Sequence, residues 1–150
     1  MTPISEQMDR LRELSGTLDY YEHKRQKVLD FMTKAPVICF MKDASTGKYQ
    51  FISEKGAEAL GKKEEEIIGK TDWQLLCEED AKISIAHDIK VLKDNQEFAA
   101  IESRRFRGKV SLYLVSRFLI KNGETSIGGF AFEVPDIFRL EPVIKDHTAA

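Results

Sequence analysis

The order of apolar and polar residues divides the sequence into two parts near Pro36. No proline occurs between Pro3 and Pro36, which permits a long helix over residues 4–34. Apolar residues recur along it in steps of three, four and seven: Ile4, Leu11, Leu14, Leu18, Tyr21, Val28 and Met32. Such steps are typical of a coiled-coil seam, although Arg25 interrupts this one. The pattern predicts a helical, coiled-coil dimerisation segment over residues 1–34.

The predicted helix allows more than one interpretation. It could pack only on its own domain, and Gly16, a poor helix former, could divide it into two shorter helices. A helix of about 30 residues is longer than one small domain usually needs to cover itself, which favours a dimer seam. The residues predicted to form that interface are Leu11, Leu14, Leu18, Tyr21 and Val28.

After Pro36 the sequence alternates between short strands and short helices. The predicted strands span residues 37–41, 49–53, 97–106, 110–121 and 125–134. Several short helical segments fill residues 53–76, and an amphipathic helix follows over residues 78–93. Its apolar positions at helical spacing are Ala81, Ile85, Ile89 and Leu92. The order is helix, two strands, several helices and then a three-stranded meander.

Composition and charge narrow the possible classes of protein. The chain has 150 residues, of which 42% are hydrophobic and 32% charged, and its formal net charge is -2. A nucleic-acid surface would normally be strongly basic, so direct nucleic-acid contact is not expected. No apolar run approaches the length of about 20 residues that spans a bilayer. A cytoplasmic protein without membrane contact is therefore expected.

The reactive residue types form no recognisable catalytic motif. There is no glycine-rich phosphate loop, and His23, His87 and His147 are scattered along the sequence. The two cysteines, Cys39 and Cys77, lie in apolar contexts and outside metal-binding spacing, so two reduced, largely buried thiols are expected, with a redox or flavin-adduct role as the alternative. Neither an enzyme nor a metal site is predicted.

Several local motifs occur in the order found in PAS domains. The segments 37–43, 57–61, 67–72 and 118–130 resemble the family's first strand, two of its most recurrent motifs and its final hairpin. The resemblance covers roughly residues 33–136. It implies an α+β PAS fold, in which a five-stranded antiparallel sheet carries short helices across one face and follows the long N-terminal helix. The PAS domain would span residues 35–136, with a C-terminal tail or linker over residues 137–150.

The resemblance also implies a small apolar cavity between the sheet and the amphipathic helix over residues 78–93. The residues expected to line it are Phe40, Phe51, Trp73, Ile85, Ile89, Ile101, Phe118 and Phe130. A cavity of that kind would suit a cofactor or a metabolite. The same residues could equally fill a solid core, since apolar side chains on an inner face are core before they are pocket.

The identity of a ligand stays open in the sequence. Haem is one candidate, because some PAS sensors hold its iron through a histidine on the helix that carries His87. His87 is flanked by Ile85 and Ile89, which favours a surface position for its ring. The surroundings of Cys77 do not match the motif of PAS domains that bind flavin covalently. A non-covalent flavin, a small metabolite or no ligand at all are the other candidates.

Family resemblance thus implies a sensory module in signal transduction. The expected protein binds a small molecule or senses a signal in its cavity, and relays it through a helical homodimer to a signalling or transcription-regulating output. One alternative is a ligand-free PAS module for protein–protein interaction and dimerisation, and another is a haem-binding gas or redox sensor. A downstream signalling protein is the expected partner beyond the second copy.

Overall fold

The computed structural model describes residues 3–135, and the chain divides after Lys34 into two compact units. The first unit holds helix α1 (Ile4–Lys34). The other elements are β1 (Ile38–Asp43), β2 (Tyr49–Ile52), α2 (Glu54–Leu60), α3 (Glu64–Ile67), α4 (Asp72–Leu75), α5 (Glu78–Asp94), β3 (Phe98–Phe106), β4 (Lys109–Ile120) and β5 (Ser126–Glu133). The predicted tail over residues 137–150 lies outside the described residues.

Helix α1 is a single helix of 31 residues. Gly16 lies inside it without interrupting it, so the joint that the sequence allowed does not form. Along α1 no side chain is buried, and the seam residues Leu11, Leu14 and Leu18 are exposed. A helix of this length without a buried face draws its stability in solution from packing against something else.

The second unit is built on one antiparallel sheet with the strand order β2-β1-β5-β4-β3. Helices α2 to α5 connect β2 to β3, and α5 packs on β3 and β4 while α2 packs on β1. The α+β class and the five-stranded sheet predicted from the sequence are therefore confirmed.

The hydroxyl of Ser53 fixes the start of the helical layer. It caps α2 by accepting from the backbone N–H of Gly56 at 3.1 Å. The same oxygen accepts from the backbone N–H of Cys39 at 3.0 Å and donates to the carbonyl of Val37 at 2.8 Å. Because one buried side chain serves both strand β1 and helix α2, the two are locked in a single geometry.

Strand register decides which side chains face the helices. Phe40 pairs with Gly129, and Gly129 pairs with Arg117, so these three positions share one face of the sheet. This inner face is the one that packs against helices α2 to α5. A Cβ on Gly129 would meet the ring of Phe40, and only glycine leaves room for that ring. Cys39 and Phe130, the sequence neighbours of Phe40 and Gly129, pair with each other on the outer face, which is the face turned away from helices α2 to α5.

Candidate functional site

Helix α5 presents a polar stripe to the sheet. Its buried residues are Asp80, Ala81, Ser84, Asp88 and Val91, so that polar side chains recur every fourth position. The sequence had suggested a stripe that includes Ile85 and Ile89, yet the side chain of Ile89 is 57% exposed. The helix is therefore rotated about its own axis relative to that expectation, so that the carboxylates of Asp80 and Asp88 face the sheet and Ile89 does not.

Lys42 is the first centre of a buried ion network. Its Nζ donates to Asp72 Oδ2 at 2.6 Å, to Asp88 Oδ2 at 2.8 Å and to Ser84 Oγ at 3.3 Å. Lys42 is 1% exposed, so its charge is compensated by these partners rather than by water. The contacts join strand β1 to helices α4 and α5.

Arg117 is the second centre of the network. Its Nε donates to Asp88 Oδ1 at 2.7 Å, and a terminal nitrogen donates to Ser84 Oγ at 2.9 Å. Both terminal nitrogens also contact the carboxylate of Glu102. Asp88 accepts from both Arg117 and Lys42, and so links the two centres across the inner face.

Glu102 contacts further charged or polar side chains beside Arg117. Besides Arg117, it accepts from Arg104 at 2.9 Å and lies 2.8 Å from Nδ1 of His87. Burial alone would raise the pKa of this carboxyl, but the hydrogen bonds and the positive charge of Arg117, helped by Arg104, lower it to about 2. Glu102 is therefore ionised at neutral pH.

We use the name ion network for these residues: Lys42, Asp72, Ser84, Asp88, Glu102, Arg104 and Arg117. Three cations face three carboxylates, so the group is close to neutral as a whole. Tyr49 extends it by donating to Asp72 Oδ1 at 2.6 Å. Burial and the neighbouring Asp72 raise the pKa of the Tyr49 phenol well above its ordinary value, so it remains a donor.

A cavity of about 60 Å³ lies beside the ion network. Its wall is mostly apolar, and the residues with polar side chains that line it are Tyr49, Ser84, Arg104 and Tyr113. Among residues 3–135 the hydroxyl of Tyr113 makes no hydrogen bond. Burial raises the pKa of this phenol, so Tyr113 offers an uncommitted donor.

The eight residues expected to line one cavity lie in three places. Phe40 lines the cavity just described. Trp73, Ile85 and Ile89 line a separate groove of about 200 Å³ beside α4 and α5. The other four lie on the outer face of the sheet: Phe51, Ile101, Phe118 and Phe130. The structure does not bring the eight together, because strand register assigns alternate aromatics to opposite faces.

The surroundings of His87 do not fit a haem ligand. Its ring packs on Phe98 with centroids 5.1 Å apart, and its Nδ1 is engaged by Glu102. The side chain is 22% exposed, so it lies deeper than the surface position that the sequence suggested. Cofactor sites commonly measure about 300 Å³ or more, whereas the inner cavity is about 60 Å³. The same volume is too small for a flavin ring.

The two cysteines differ in their exposure to solvent. Cys39 is buried as expected, but the prediction for Cys77 is wrong, because this thiol is exposed at the start of α5.

Over residues 3–135, no cluster of three or more His, Cys, Asp or Glu side chains is placed to hold a metal ion. In the same part of the chain, no helix combines the length and the apolar character needed to cross a membrane.

Comparison with solved structures identifies the fold. An RNA-binding light-oxygen-voltage receptor superposes with a TM-score of 0.71 at 11% identity, over 84% of this chain and 37% of the receptor chain. A PAS domain of an HTR-like protein from Haloarcula marismortui gives 0.57 at 18% identity, over 80% and 99% of the two chains. The PAS domain of nitrogen regulation protein NR(II) from Vibrio parahaemolyticus gives 0.59 at 9% identity, over 71% and 96%. No protein-family model and no curated protein matches the sequence. The chain has the PAS fold.

Proposed function

We propose that this chain is a sensory PAS module that binds a very small molecule beside the ion network. The observation that supports it is the mostly apolar cavity beside the ion network, which Arg104 and Tyr113 also line. A concave apolar site with few polar anchors is the usual form of a small-molecule site. The signal would pass to a signalling or transcription-regulating output through a homodimer formed by α1.

The dimensions and chemistry of the cavity limit the ligand. An engineered cavity that binds benzene measures about 150 Å³, so a ligand here has only a few non-hydrogen atoms. Arg104 and the Tyr113 phenol both donate hydrogen bonds, and they suit a ligand that accepts them. A small carboxylate such as formate or acetate meets both conditions.

The ion network gives such a ligand a route to α5. A carboxylate beside Arg104 competes with Glu102 for the guanidinium, and Glu102 in turn holds Arg117. Arg117 is hydrogen-bonded to Asp88 on α5. The ligand changes the conformational equilibrium only as far as it binds two arrangements of this network differently.

Thermal unfolding in the presence of formate, acetate, propionate and pyruvate tests the proposal. We expect one of the smaller anions to raise the midpoint saturably at constant ionic strength. Tyr113→Phe should abolish most of this rise, whereas Tyr20→Phe on α1, which also removes one hydroxyl, should preserve it. If no anion shifts the midpoint, or if both variants respond alike, the ligand proposal fails.

A second candidate function is a ligand-free interaction module. It is favoured by the outer face of the sheet, where Ile101, Leu114 and Phe132 are large, apolar and exposed. Phe118 and Phe130 stack beside them with centroids 6.0 Å apart. On this proposal the sheet and α1 together form the homodimer interface, and no small molecule is needed.

One further experiment distinguishes the two candidate functions. Leu114→Arg places a charge on the outer face, and if the sheet belongs to the interface it should lower the mass measured by light scattering. Ile89→Arg is the control, because Ile89 is also exposed but lies on α5. A dimer that tolerates Leu114→Arg would argue against the sheet as an interface.

A further inference from the structure

We propose that α1 pairs with α1 of a second copy in the antiparallel orientation, with the pair centred between Leu18 and Tyr21. This inference rests on the homodimer of the proposed function and adds its orientation and register. It is drawn from the identity of the seam residues, from their exposure and from the length of the helix.

The seam of α1 is available to a partner helix. Leu11, Leu14 and Leu18 are exposed, and Tyr21 and Val28 continue the same face at coiled-coil spacing. A second copy offers a face with the same spacing, so an isologous pair of helices buries both at once.

A parallel pair would place Arg25 opposite itself. Arg25 follows Leu18 by seven residues and therefore occupies the equivalent seam position one heptad later. In a parallel pair, equivalent positions meet, so two guanidinium groups would face each other in the seam. Each Arg25 already reaches sideways to Glu22 at 3.0 Å on its own helix. The ion pair with Glu22 still leaves the two Arg25 guanidinium groups close together, and it supplies no apolar contact at this layer of the seam.

The antiparallel register removes this conflict. When Leu18 lies opposite Tyr21 of the second copy, Leu11 lies opposite Val28 and Leu14 lies opposite Arg25. The aliphatic part of Arg25 can then cover Leu14 while its charged end stays at the surface beside Glu22. The three layers between Leu11 and Val28 then each contain a leucine.

The residues that flank the seam agree with the same register. Met8 and Leu29 are exposed apolar residues that flank the seam on the same side, because Leu29 follows Met8 by three heptads. In the antiparallel pair Met8 meets Leu29 of the second copy, whereas a parallel pair would bring Lys24 beside Leu29. The register also places Ser5 opposite Lys34, so the two helices overlap along almost their whole length.

Disulfide trapping in the full chain tests the orientation. Two single variants, Leu11→Cys and Val28→Cys, are prepared in a Cys77→Ser background, because Cys77 is the exposed native thiol. In the antiparallel pair the two positions 11 are separated by about 26 Å along the axis, since each residue rises 1.5 Å. That separation exceeds the reach of a disulfide, whereas positions 11 and 28 lie opposite each other.

We expect neither variant to form a disulfide-linked dimer alone and an equimolar mixture to form the mixed one, identified by its mass. Self-linked dimers of each variant would overturn the antiparallel register and leave the homodimer of the proposed function intact. A dimer in light scattering that links in none of the samples would also overturn this register. A monomer at all concentrations would overturn both the register and the homodimer.

Discussion

Lys42 and Asp72 are joined by a 2.6 Å contact between Nζ and Oδ2, although they lie on different elements and both side chains are buried. Asp72 begins the four-residue helix α4 and also accepts hydrogen bonds from Tyr49 and Ser84. A helix this short has little intrinsic stability, so its position depends on the carboxylate. The ion network thus fixes the helical layer on the sheet.

Replacing Lys42 by methionine should destabilise the second unit strongly. The variant keeps a side chain of similar length but leaves Asp72 and Asp88 buried beside an apolar group. Removing one partner of a buried ion pair typically costs about 3–5 kcal/mol, because the remaining charge is uncompensated. Urea unfolding followed by circular dichroism measures the loss.

Lys82→Met is the matched control for that substitution. Lys82 also pairs with a carboxylate, Glu78 at 3.0 Å, but both side chains are mostly exposed. An exposed pair four residues apart on a helix contributes about 0.3–0.5 kcal/mol. Equal losses for the two variants would contradict the structural role given to Lys42.

The low pKa of Glu102 predicts an acid-sensitive fold. In the unfolded chain this carboxyl has the ordinary value of 4.5, and in the folded chain its pKa is about 2. Stabilisation by a lowered pKa is complete above the unfolded value and is lost as the pH falls towards the folded one. The free energy of unfolding should therefore decrease between about pH 5 and pH 2, by about 3 kcal/mol at most from this group.

Glu102→Gln separates this contribution from those of other acids. The variant should be less stable than the parent at pH 7, and its stability should depend less steeply on pH below 5. Some dependence will remain, because the pKa values of Asp72 and Asp80 are also lowered. Glu97→Gln, at an exposed position, serves as the control. Parallel pH profiles for Glu102→Gln and the parent would count against the ionised buried carboxylate.

The helices and strands were predictable from the sequence because their signals are local, whereas their assembly into a five-stranded sheet was implied by the resemblance to PAS domains. Proline positions bounded α1, and the hairpin residues Asn122 and Gly123 separated β4 from β5. Alternating apolar residues gave the strands. Each of these signals acts within a few residues, so one sequence is enough to read it.

The site was not predictable in the same way, because its residues become neighbours only through long-range pairing. Lys42 meets Asp88 across 46 positions, and Arg117 meets Glu102 across the β3–β4 pair. A search for apolar periodicity passes over such residues and instead selected Phe118 and Phe130, which lie on the outer face. One signal was present: Arg117 stands in the middle of an apolar strand, where an unpaired charge would be costly.

Gly16→Ala should stabilise α1. Glycine within a helix costs about 1 kcal/mol relative to alanine, and an added Cβ at this position meets nothing within 4 Å. We expect a higher thermal midpoint for the loss of helical ellipticity. Gly61→Ala should have the opposite effect, because Gly61 has a φ of 66° and its Cβ would meet the ring of Phe106. A midpoint unchanged by Gly16→Ala would mean that α1 does not limit the unfolding being observed.

Leu18→Asp should weaken the homodimer, because it places a carboxylate at the centre of the α1 seam. Leu14→Asp should weaken it less, because in the antiparallel pair its carboxylate lies opposite Arg25 of the second copy. Tyr20→Asp is the control, since Tyr20 is 61% exposed and Leu18 66%, yet Tyr20 points away from the seam. If the seam forms the dimer, light scattering over a concentration series should show dissociation only for the seam variants. Equal masses for Leu18→Asp and Tyr20→Asp would show that exposed apolar residues on α1 do not act as a coiled-coil seam, and the outer face of the sheet would then be the remaining candidate interface.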